Sequence, residues 1–272
     1  MPHDTIVASP MLQTVPDVLT RIVEQKRAEL AASGTITADL ELRAHQAAQA
    51  RRPFRKSLEA NTPAVISEIK KASPSKGLLT HDFSPARIAT QYQQGGAAAL
   101  SVLTDQKFFQ GSLADLAEAR TAVALPVLRK DFTISEFHIV EAAASGADAI
   151  LLIAAILTTV EMRRFRELAA TFHLDVLVEV HDGEELSRAL DSGAEILGVN
   201  NRNLHNFEVT LQTSLDLIQR IPQSLLKVSE SGIHSHADLH LLHQAGYQAF
   251  LVGEHLMKSP DPAHALRSLR GC

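Results

Sequence analysis

The stretch from Val65 to Gly77 reads Val-Ile-Ser-Glu-Ile-Lys-Lys-Ala-Ser-Pro-Ser-Lys-Gly, a strand-like half followed by a turn. Side chains alternate along a β-strand, so Glu68 and Lys70 fall on the same side of it as Ile66. Charged residues are seldom buried unless they are paired or functional. Two opposite charges facing inward before a turn therefore favour a site at the carboxyl end of a strand. An edge strand with a salt bridge on its outer face is the alternative interpretation.

From residue 64 onward, short apolar runs alternate with amphipathic segments at helical spacing. The eight predicted strands are 64–70, 97–103, 125–131, 147–154, 174–180, 194–200, 225–230 and 248–253. The predicted helices are 85–94, 113–123, 135–144, 159–171, 183–191, 211–219, 235–244 and 260–269. Four of these helices end at a glycine before the next strand, which is a weak internal repeat.

Eight strand–helix units over roughly 250 residues are typical of one α/β fold, the (β/α)8 TIM barrel. A doubly wound open sheet is the competing α/β fold. That fold usually has a Gly-rich first turn, whereas the turn after the first strand here reads Lys-Ala-Ser-Pro-Ser. The pattern therefore predicts the barrel.

The first 50 residues predict a helical extension in front of the barrel. Thr14-Val15-Pro16-Asp17 has the form of a helix start. An apolar stripe follows at helical spacing, formed by Val18, Leu19, Ile22, Val23 and Leu30. Ser33-Gly34 ends this helix, and an Ala-rich helical segment continues to about residue 50. We expect residues 1–272 to form a single domain, with the extension at 1–50 and the barrel at 64–270.

The charge balance argues against a nucleic-acid-binding surface. The chain has 26 Lys and Arg against 31 Asp and Glu, a formal net charge of −5, with no pronounced basic run. The largest local basic excess is Arg51-Arg52-Pro53-Phe54-Arg55-Lys56. We interpret it as a solvated linker or as a lip near an anionic substrate.

Other features of the composition predict a cytoplasmic protein without a membrane partner. The only cysteine is Cys272, which leaves no intramolecular disulfide to form. The first thirty residues include acidic side chains and no uninterrupted apolar core, unlike a secretory signal. The longest apolar run, 149–157, is far shorter than the roughly 20 residues that a membrane helix needs.

Polar residues stand at the carboxyl end of nearly every predicted strand. In chain order they are Glu68 and Lys70, Thr104 and Asp105, Lys130 and Asp131, Glu179, Asn200, then Glu230. The reactive groups of a barrel come from these ends, and each buried polar group carries a desolvation cost. Glu179 alone would be read as a structural ion pair, but the convergence of all these groups predicts one site at one rim.

The last two turns predict a phosphate site. Ser231-Gly232 opens the seventh loop and Gly253-Glu254 opens the eighth, which is where such barrels commonly bind phosphate. Glycine lets backbone N–H groups come close to the oxygens. The carboxylate of Glu254 must then point away, so that only its backbone serves the phosphate.

Seven motifs together resemble the indole-3-glycerol phosphate synthase family, over about residues 15 to 270. They are Ser-Glu-Ile-Lys-Lys-Ala-Ser-Pro-Ser-Lys-Gly, Leu-Ser-Val-Leu-Thr-Asp-Gln-Lys-Phe-Phe-Gln-Gly-Ser, Val-Leu-Arg-Lys-Asp-Phe, Leu-Val-Glu-Val, Gly-Val-Asn-Asn-Arg-Asn-Leu, Ser-Glu-Ser-Gly-Ile and Phe-Leu-Val-Gly-Glu-His-Leu-Met. Two positions depart from the family pattern: Asn203 stands where Asp is common, and His255 where Ser is usual.

The resemblance implies an enzyme of tryptophan biosynthesis, a carbon–carbon lyase of the carboxy-lyase class. Its substrate would be a phosphorylated small molecule, 1-(2-carboxyphenylamino)-1-deoxyribulose 5-phosphate. Ring closure with loss of CO₂ and water would give indole-3-glycerol phosphate, with no cofactor and no metal. The resemblance also implies that the helical extension lies over the barrel mouth and helps to enclose the substrate.

The resemblance further implies a role for each matching residue. Lys130 would be the general acid of ring closure, and Lys70 would hold the substrate carboxylate and act in dehydration, with the two roles open to exchange. Glu179 would be the general base, with Glu68 supporting proton transfer and Asn200 orienting the sugar hydroxyls. The remaining substrate contacts would be Ser73, Phe109, Phe132, Arg202, Leu204 and Ser231, with Gly232, Gly253 and Glu254 at the phosphate. Strand parity alone does not choose between Arg129 and Lys130 as the inward residue.

Three alternatives accompany this reading. His236, His240 and His243 share one helix face at a spacing that suits a metal, but that face is opposite Leu239 and Leu242, which favours solvated surface. Inward lysines also suit a Schiff-base aldolase. A barrel that binds a phosphorylated ligand without turnover is the third reading. We expect a monomer, with a weak dimer as the alternative.

Overall fold

Eight parallel strands form a closed barrel in the computed structural model, which describes residues 17–80, 82–204 and 206–272. The barrel strands are β1 (Ala64–Ile69), β4 (Ala99–Leu103), β5 (Val127–Lys130), β6 (Ala149–Ile153), β7 (Asp175–Val180), β8 (Ile196–Asn200), β9 (Leu226–Glu230) and β10 (Ala249–Val252). A short antiparallel hairpin of β2 (Ala72–Ser73) and β3 (Gly77–Leu78) follows β1. The barrel closes because β1 pairs with both β4 and β10. The predicted TIM barrel is confirmed.

Helices cover the outside of the barrel, and other helices lie at its two ends. They are α1 (Asp17–Ser33), α2 (Ala38–Ala48), α3 (Phe54–Ala60), α4 (Pro85–Gln94), α5 (Gln106–Phe109), α6 (Leu113–Ala122), α7 (Glu136–Ala144), α8 (Thr159–Thr171), α9 (Gly183–Asp191), α10 (Gln212–Leu217), α11 (His236–Ala245), α12 (Glu254–Met257) and α13 (Pro262–Arg270). Local sequence explains their starts, because Ser, Thr or Asp side chains cap seven of the barrel helices (Ser84, Ser112, Ser135, Thr158, Asp182, Ser235 and Asp261). Within the described ranges, no helix combines the length and apolarity needed to cross a bilayer.

Every predicted barrel strand and helix is present, and the differences lie at the ends of elements. The helix predicted at 211–219 divides into α10 and a 3₁₀ turn at Ile218–Arg220. The one-turn helices α5 and α12, and the seven-residue helix α3, were not predicted. Of the predicted helix start at 14–17, residues 14–16 lie outside the described residues. The single-domain assignment stays a prediction.

The helices that precede β1 lie at three places on the barrel. Helix α1 crosses the mouth, where Leu19 and Ile22 face the central cavity. Helix α2 packs along the outer wall against α7. Helix α3 closes the opposite end, the base, because Phe54 and Leu58 are fully buried among the side chains that fill the barrel interior. One continuous segment therefore covers both ends of the barrel.

The interpretation of residues 51–56 as a solvated linker or a substrate lip is wrong. The segment lies at the base, away from the mouth, and all three of its arginines are half-buried. The Arg51 guanidinium donates to the carbonyls of Ala147 and Phe172, and Arg52 donates to the carbonyl of Leu125 at 2.7 Å. The positive charges therefore satisfy backbone carbonyls below the strands, which is a structural role.

Candidate active site

A cavity of about 370 Å³ opens at the carboxyl ends of the strands. The size suits a small organic molecule. All fourteen residues predicted for the site line it: Glu68, Lys70, Ser73, Phe109, Lys130, Phe132, Glu179, Asn200, Arg202, Leu204, Ser231, Gly232, Gly253 and Glu254. The structure therefore brings the predicted residues together, while their chemical roles stay predictions.

Lys130 lies at the centre of the charged cluster. Its ammonium is 2.9 Å from Glu179 Oε2 and 3.6 Å from Glu230 Oε2. Burial on its own would lower the pKa of Lys130, but the carboxylates of Glu179, Glu230 and Glu68 outweigh it and raise that pKa above its ordinary value. The lysine is therefore charged before any ligand enters.

Arg129, the alternative to Lys130, points to the other side of the sheet. Its guanidinium donates to Glu141 at 2.8 Å and to the carbonyl of His138 at 3.1 Å, both on α7. It also pairs with Asp131 at 3.2 Å. Arg129 therefore binds the barrel wall to a helix, and Lys130 is the inward residue.

The first strand contributes the second pair of charges. Lys70 Nζ and Glu68 Oε2 are in contact at 2.5 Å, and both side chains face the cavity. Gly253 makes room for this pair, because a Cβ at that position would collide with the Glu68 carboxylate. The interpretation of β1 as an edge strand with an outer salt bridge is therefore wrong, since β1 is paired on both sides.

Asn200 connects the cluster to the loop after β8. Its Nδ2 donates to Glu179 Oε1 at 3.2 Å, and its Oδ1 accepts from the backbone N–H of Arg202 at 3.0 Å. The amide therefore holds Glu179 and the start of the next loop in one network.

The apolar part of the cavity lies toward α1. The rings of Phe109 and Phe132 have their centroids 6.1 Å apart. Leu204 lines the same space, and Leu19 and Ile22 cover it from α1. The cavity can therefore accept an aromatic ring beside the charged cluster.

The loops after β9 and β10 form the polar side of the rim. Ser231 and Gly232 both have positive φ, 65° and 78°, a conformation that costs little for glycine alone. Glu254 Oε1 accepts from Lys258 at 2.6 Å, so this carboxylate is engaged with its own helix. The departures from the family pattern both lie near this rim: His255 lines the cavity, and Asn203 bonds within the loop after β8.

Three residues at the mouth have contacts that the sequence reading did not assign. Lys26 on α1 is 5 % exposed and lies 3.0 Å from both Asp105 and Asp131. Lys26 follows Ile22 by one helical turn, so the spacing alone could have placed it on the buried face of α1. His181, directly after β7, lies between Glu179 and Glu185.

Glu230 is the third of these residues. It is buried inside the cluster, and burial together with the carboxylates of Glu179 and Glu68 raises its pKa to about 8, against the opposing effect of Lys130. Gly198 in β8 was the available signal, because a Cβ at that position would collide with the Glu230 carboxylate. The pKa of Glu230 is therefore shifted in the opposite direction to that of Glu179, its neighbour in the cluster.

The histidines of α11 face different partners. His236 Nδ1 lies 3.1 Å from the carbonyl of Leu269, and His243 Nδ1 lies 3.0 Å from that of Tyr247. In the part of the chain that the structure describes, no group of three His, Cys, Asp or Glu side chains is arranged to hold a metal ion. His236 and His240 are exposed on the outer wall.

Comparison with solved structures gives the fold. A mutant tryptophan synthase α-subunit from Pyrococcus furiosus superposes with a TM-score of 0.60 at 15 % identity, covering 78 % of this chain and 99 % of that one. Thiamine phosphate pyrophosphorylase from the same organism gives a TM-score of 0.57 at 16 % identity, covering 78 % and 95 %. At these identities the likeness concerns the barrel alone.

Comparison of sequences gives the family. The family model described as indole-3-glycerol phosphate synthase matches residues 19–269. A protein named indole-3-glycerol phosphate synthase from Aromatoleum aromaticum is 49 % identical over 260 residues, covering 94 % of this chain and 99 % of the relative. One of the same name from Burkholderia vietnamiensis is 49 % identical over 254 residues, covering 92 % and 97 %. The family expected from the rim motifs is thus confirmed, and the chain belongs to the indole-3-glycerol phosphate synthase family.

Proposed function

We propose that this chain closes the indole ring of its substrate, 1-(2-carboxyphenylamino)-1-deoxyribulose 5-phosphate, as a carboxy-lyase. The products are indole-3-glycerol phosphate, CO₂ and water. The observation that carries the proposal is the convergence of Lys70, Lys130 and Glu179 on one cavity that also has an aromatic-lined side. A substrate with a carboxylate, an aromatic ring and a phosphate matches these three kinds of surface.

Ring closure needs an acid at the ribulose carbonyl. A ring carbon of the substrate attacks that carbonyl, and negative charge develops on its oxygen. The Lys130 ammonium, charged and central, donates a proton to this oxygen as the carbon–carbon bond forms. Loss of CO₂ from the attacking ring carbon, which carries the substrate carboxylate, then restores the aromatic ring.

Dehydration needs an acid and a base together. The new hydroxyl group leaves as water after it accepts a proton, and a second proton leaves the ring as the indole double bond forms. Lys70, which also holds the substrate carboxylate, is the proposed acid of this step, and Glu179 is the proposed base. Burial on its own would raise the pKa of Glu179, but Lys130 and His181 hold it below its ordinary value, so the carboxylate is ready to accept a proton. Glu68 supports the proton transfers through its contact with Lys70.

The remaining parts of the substrate have a place in the same cavity. The anthranilate ring would lie against Phe109, Phe132 and Leu204, and Asn200 would orient the sugar hydroxyls. The phosphate would bind backbone N–H groups at Gly232, Gly253 and Glu254, with Ser73, Arg202 and Ser231 beside it. The engagement of the Glu254 side chain by Lys258 supports the use of its backbone alone.

The Schiff-base alternative has less support from the charges. A lysine forms an imine through its neutral amine, whereas the carboxylates around Lys130 favour the charged form. Sodium borohydride with substrate should therefore leave the protein mass unchanged. Irreversible addition of substrate mass would favour the aldolase.

The decisive experiment is a fluorescence assay for the indole product. The wild-type chain should convert the synthetic substrate, and Lys130→Met should lose turnover while it still binds a non-reactive substrate analogue. Absence of an indole signal from a folded wild-type chain that binds the substrate would favour the binding-barrel reading. Near-normal turnover by Lys130→Met would remove Lys130 as the acid.

Three further expectations belong to this proposal. The cytoplasm is the location that the composition favours, and the reaction needs no redox chemistry. The chain is expected to act as a monomer, with a weak dimer as the alternative. Gel filtration with light scattering at two protein concentrations distinguishes these two states.

A further inference from the structure

His181 is placed between two carboxylates, one of them the proposed base. Its Nδ1 lies 3.0 Å from Glu185 Oε2, and its Nε2 lies 3.3 Å from Glu179 Oε1. Its backbone N–H also donates to Glu185 Oε2, at 2.8 Å. The imidazole is 12 % exposed and Glu179 is 3 % exposed, so little water separates the groups.

This arrangement fixes the protons on the imidazole. An ionised carboxylate only accepts hydrogen bonds, so each ring nitrogen that faces one needs a proton. A histidine with both nitrogens facing carboxylates is therefore an imidazolium. The contact with Glu179 is an ion pair without aligned hydrogen-bond geometry, since Nε2 has no hydrogen-bond partner among the residues that the structure describes.

The far side of the histidine is fixed by the start of α9. Glu185 lies in the first turn of that helix, where Asp182 Oδ1 accepts from the backbone N–H groups of Glu184 and Glu185. Glu185 is therefore part of a capped helix terminus. It holds the Nδ1 edge of the His181 ring, while the Nε2 edge faces Glu179.

The two carboxylate oxygens of Glu179 have different neighbours, and His181 faces one of them. Oε2 of Glu179 faces Lys130 at 2.9 Å, while Oε1 faces Asn200 at 3.2 Å and His181 at 3.3 Å. With a neutral residue in place of His181, Glu179 Oε1 would keep only its hydrogen bond from the Asn200 amide.

We propose that His181 is a positioning residue of this active site: an imidazolium, anchored by Glu185, that holds Glu179 ionised and directed at Lys130. This proposal rests on the proposed function for the role of Glu179, and it adds a residue that touches neither substrate nor product. Burial opposes the charge on the ring, but Glu179 and Glu185 raise the pKa of His181 to about 10.

Other charged groups around His181 face elsewhere. On α9, Arg188 donates to the carbonyls of Ala154 and Leu157. Arg220, from the 3₁₀ turn after α10, donates to the carbonyl of Gly183. From α8, Arg163 donates to the carbonyl of Asp191 at the far end of α9. The 3₁₀ turn Ala154–Ile156, which packs on both β7 and α9, carries only apolar side chains. Glu179 and Glu185, with Lys130 and Glu230 behind Glu179, are thus the charges that set the state of the ring.

The first test reads the charge of His181 without substrate. The ¹⁵N resonances of the histidines, assigned with the His181→Gln variant, are followed with pH in the wild-type chain. His181 should stay doubly protonated beyond pH 9, and in Glu185→Gln it should lose its proton at lower pH. Glu184→Gln, an exposed neighbour that does not contact the ring, is the matched control and should match the wild type. Titration of wild-type His181 below pH 7 would overturn the proposal.

The second test reads the effect on Glu179. His181→Asn keeps a donor toward Glu185 but does not reach Glu179, whereas His181→Gln places an amide near Nε2. We expect His181→Asn to lower kcat about 10- to 100-fold, the effect of removing one buried charged partner, with KM within about threefold because the residue does not touch substrate. His181→Gln should recover part of the loss. The acid limb of kcat/KM should move to higher pH in both variants, because removing a cation raises the pKa of Glu179.

The outcomes separate this proposal from the proposed function. A wild-type kcat and acid limb in folded His181→Asn would overturn the positioning role even if the wild type makes indole-3-glycerol phosphate. An inactive wild type would remove the proposed function, and the substrate-free NMR titration would still decide whether His181 is the anchored imidazolium. A variant that fails to fold leaves that decision to the wild-type and Glu185→Gln titrations.

Discussion

Two buried carboxyl groups at opposite ends of the barrel differ in how far their oxygens are hydrogen-bonded. Asp148, at the base, is fully buried and accepts from the backbone N–H groups of Val127 and Arg52 and from the guanidinium of Arg120. Glu230, at the mouth, is also buried, yet its Oε1 has no hydrogen-bond partner among the described residues. Both oxygens of Asp148 are hydrogen-bonded, whereas one oxygen of Glu230 is not.

The difference shows where stability and chemistry lie in this molecule. A fully paired buried charge contributes to stability only as long as every partner stays. A buried acid held in a cluster of like charges has a shifted pKa instead, which is useful for proton transfer. The base therefore has a structural role, while Lys130, Glu179 and Glu230 at the mouth form a coupled cluster with shifted pKa values.

The largest expected effect is on activity, at the mouth. Lys130→Arg keeps a positive charge beside Glu179, but arginine does not give up a proton at ordinary pH. We expect kcat to fall by about 10²- to 10⁴-fold, the usual contribution of a general acid, with the urea midpoint nearly unchanged. Steady-state kinetics and urea unfolding measure the two quantities. Activity within tenfold of wild type would mean that the charge of Lys130, and not its proton, is what matters.

The next effect is on stability, at the base. Asp148→Ala leaves Arg120 and two backbone N–H groups without their acceptor, so the free energy of unfolding should drop by about 3–5 kcal/mol. The folded fraction should keep a normal kcat/KM, because the residue is far from the cavity. Equal losses of kcat in Asp148→Ala and Lys130→Arg would break the division between the two ends.

Lys26 tests whether an ion pair at the mouth can be structural. Lys26→Met leaves the buried carboxylates of Asp105 and Asp131 without their shared cation, at a cost of about 3 kcal/mol in unfolding free energy. Because α1 also covers the cavity, KM should rise more than kcat falls. Limited proteolysis should cut within 17–33 faster than in the wild type. Unchanged proteolysis and unchanged KM would show that the apolar face of α1 is sufficient to hold it.

The smallest effect concerns the pH dependence of stability. The folded pKa of Glu230 is raised from 4.5 to about 8, so between these values the folded chain binds more protons than the unfolded chain. Stability linked to this group is therefore full below pH 4.5 and is lost as the pH rises toward 8. Glu230→Gln should remove that decline, which urea unfolding at pH 5, 6.5 and 8 measures in both proteins. Parallel curves would place the Glu230 pKa near its ordinary value.

Most of the barrel was predictable because its patterns are local. Apolar runs, glycine stops and hydroxyl or Asp caps are each read within a few residues, and the observed strands and helices follow them. The rim residues were predictable as a set, because strand ends in a closed barrel converge.

The parts that the sequence did not predict depend on distant residues. Helix α3 begins after Pro53 without a side-chain cap, and the N–H of Arg55 is satisfied by Asp175 from the start of β7. The choice between Arg129 and Lys130 depends on Glu141 and Glu179, which parity does not reveal. Lysine is almost never fully buried unless it is paired. Only the positions of Asp105 and Asp131, which are distant in sequence, explain the burial of Lys26.

The segment that seals both ends of the barrel also has a consequence for biosynthesis. It emerges from the ribosome before the strands it binds: Arg51 bonds to a carbonyl 121 positions later, and Arg55 to a carboxylate 140 positions later. Closure of the wall itself waits for β10, the last strand of the barrel to be made. Until then Phe54 and Leu58 have no interior to enter, so helices made before every barrel strand are the last to be buried. A nascent chain halted before β10 would present them to chaperones.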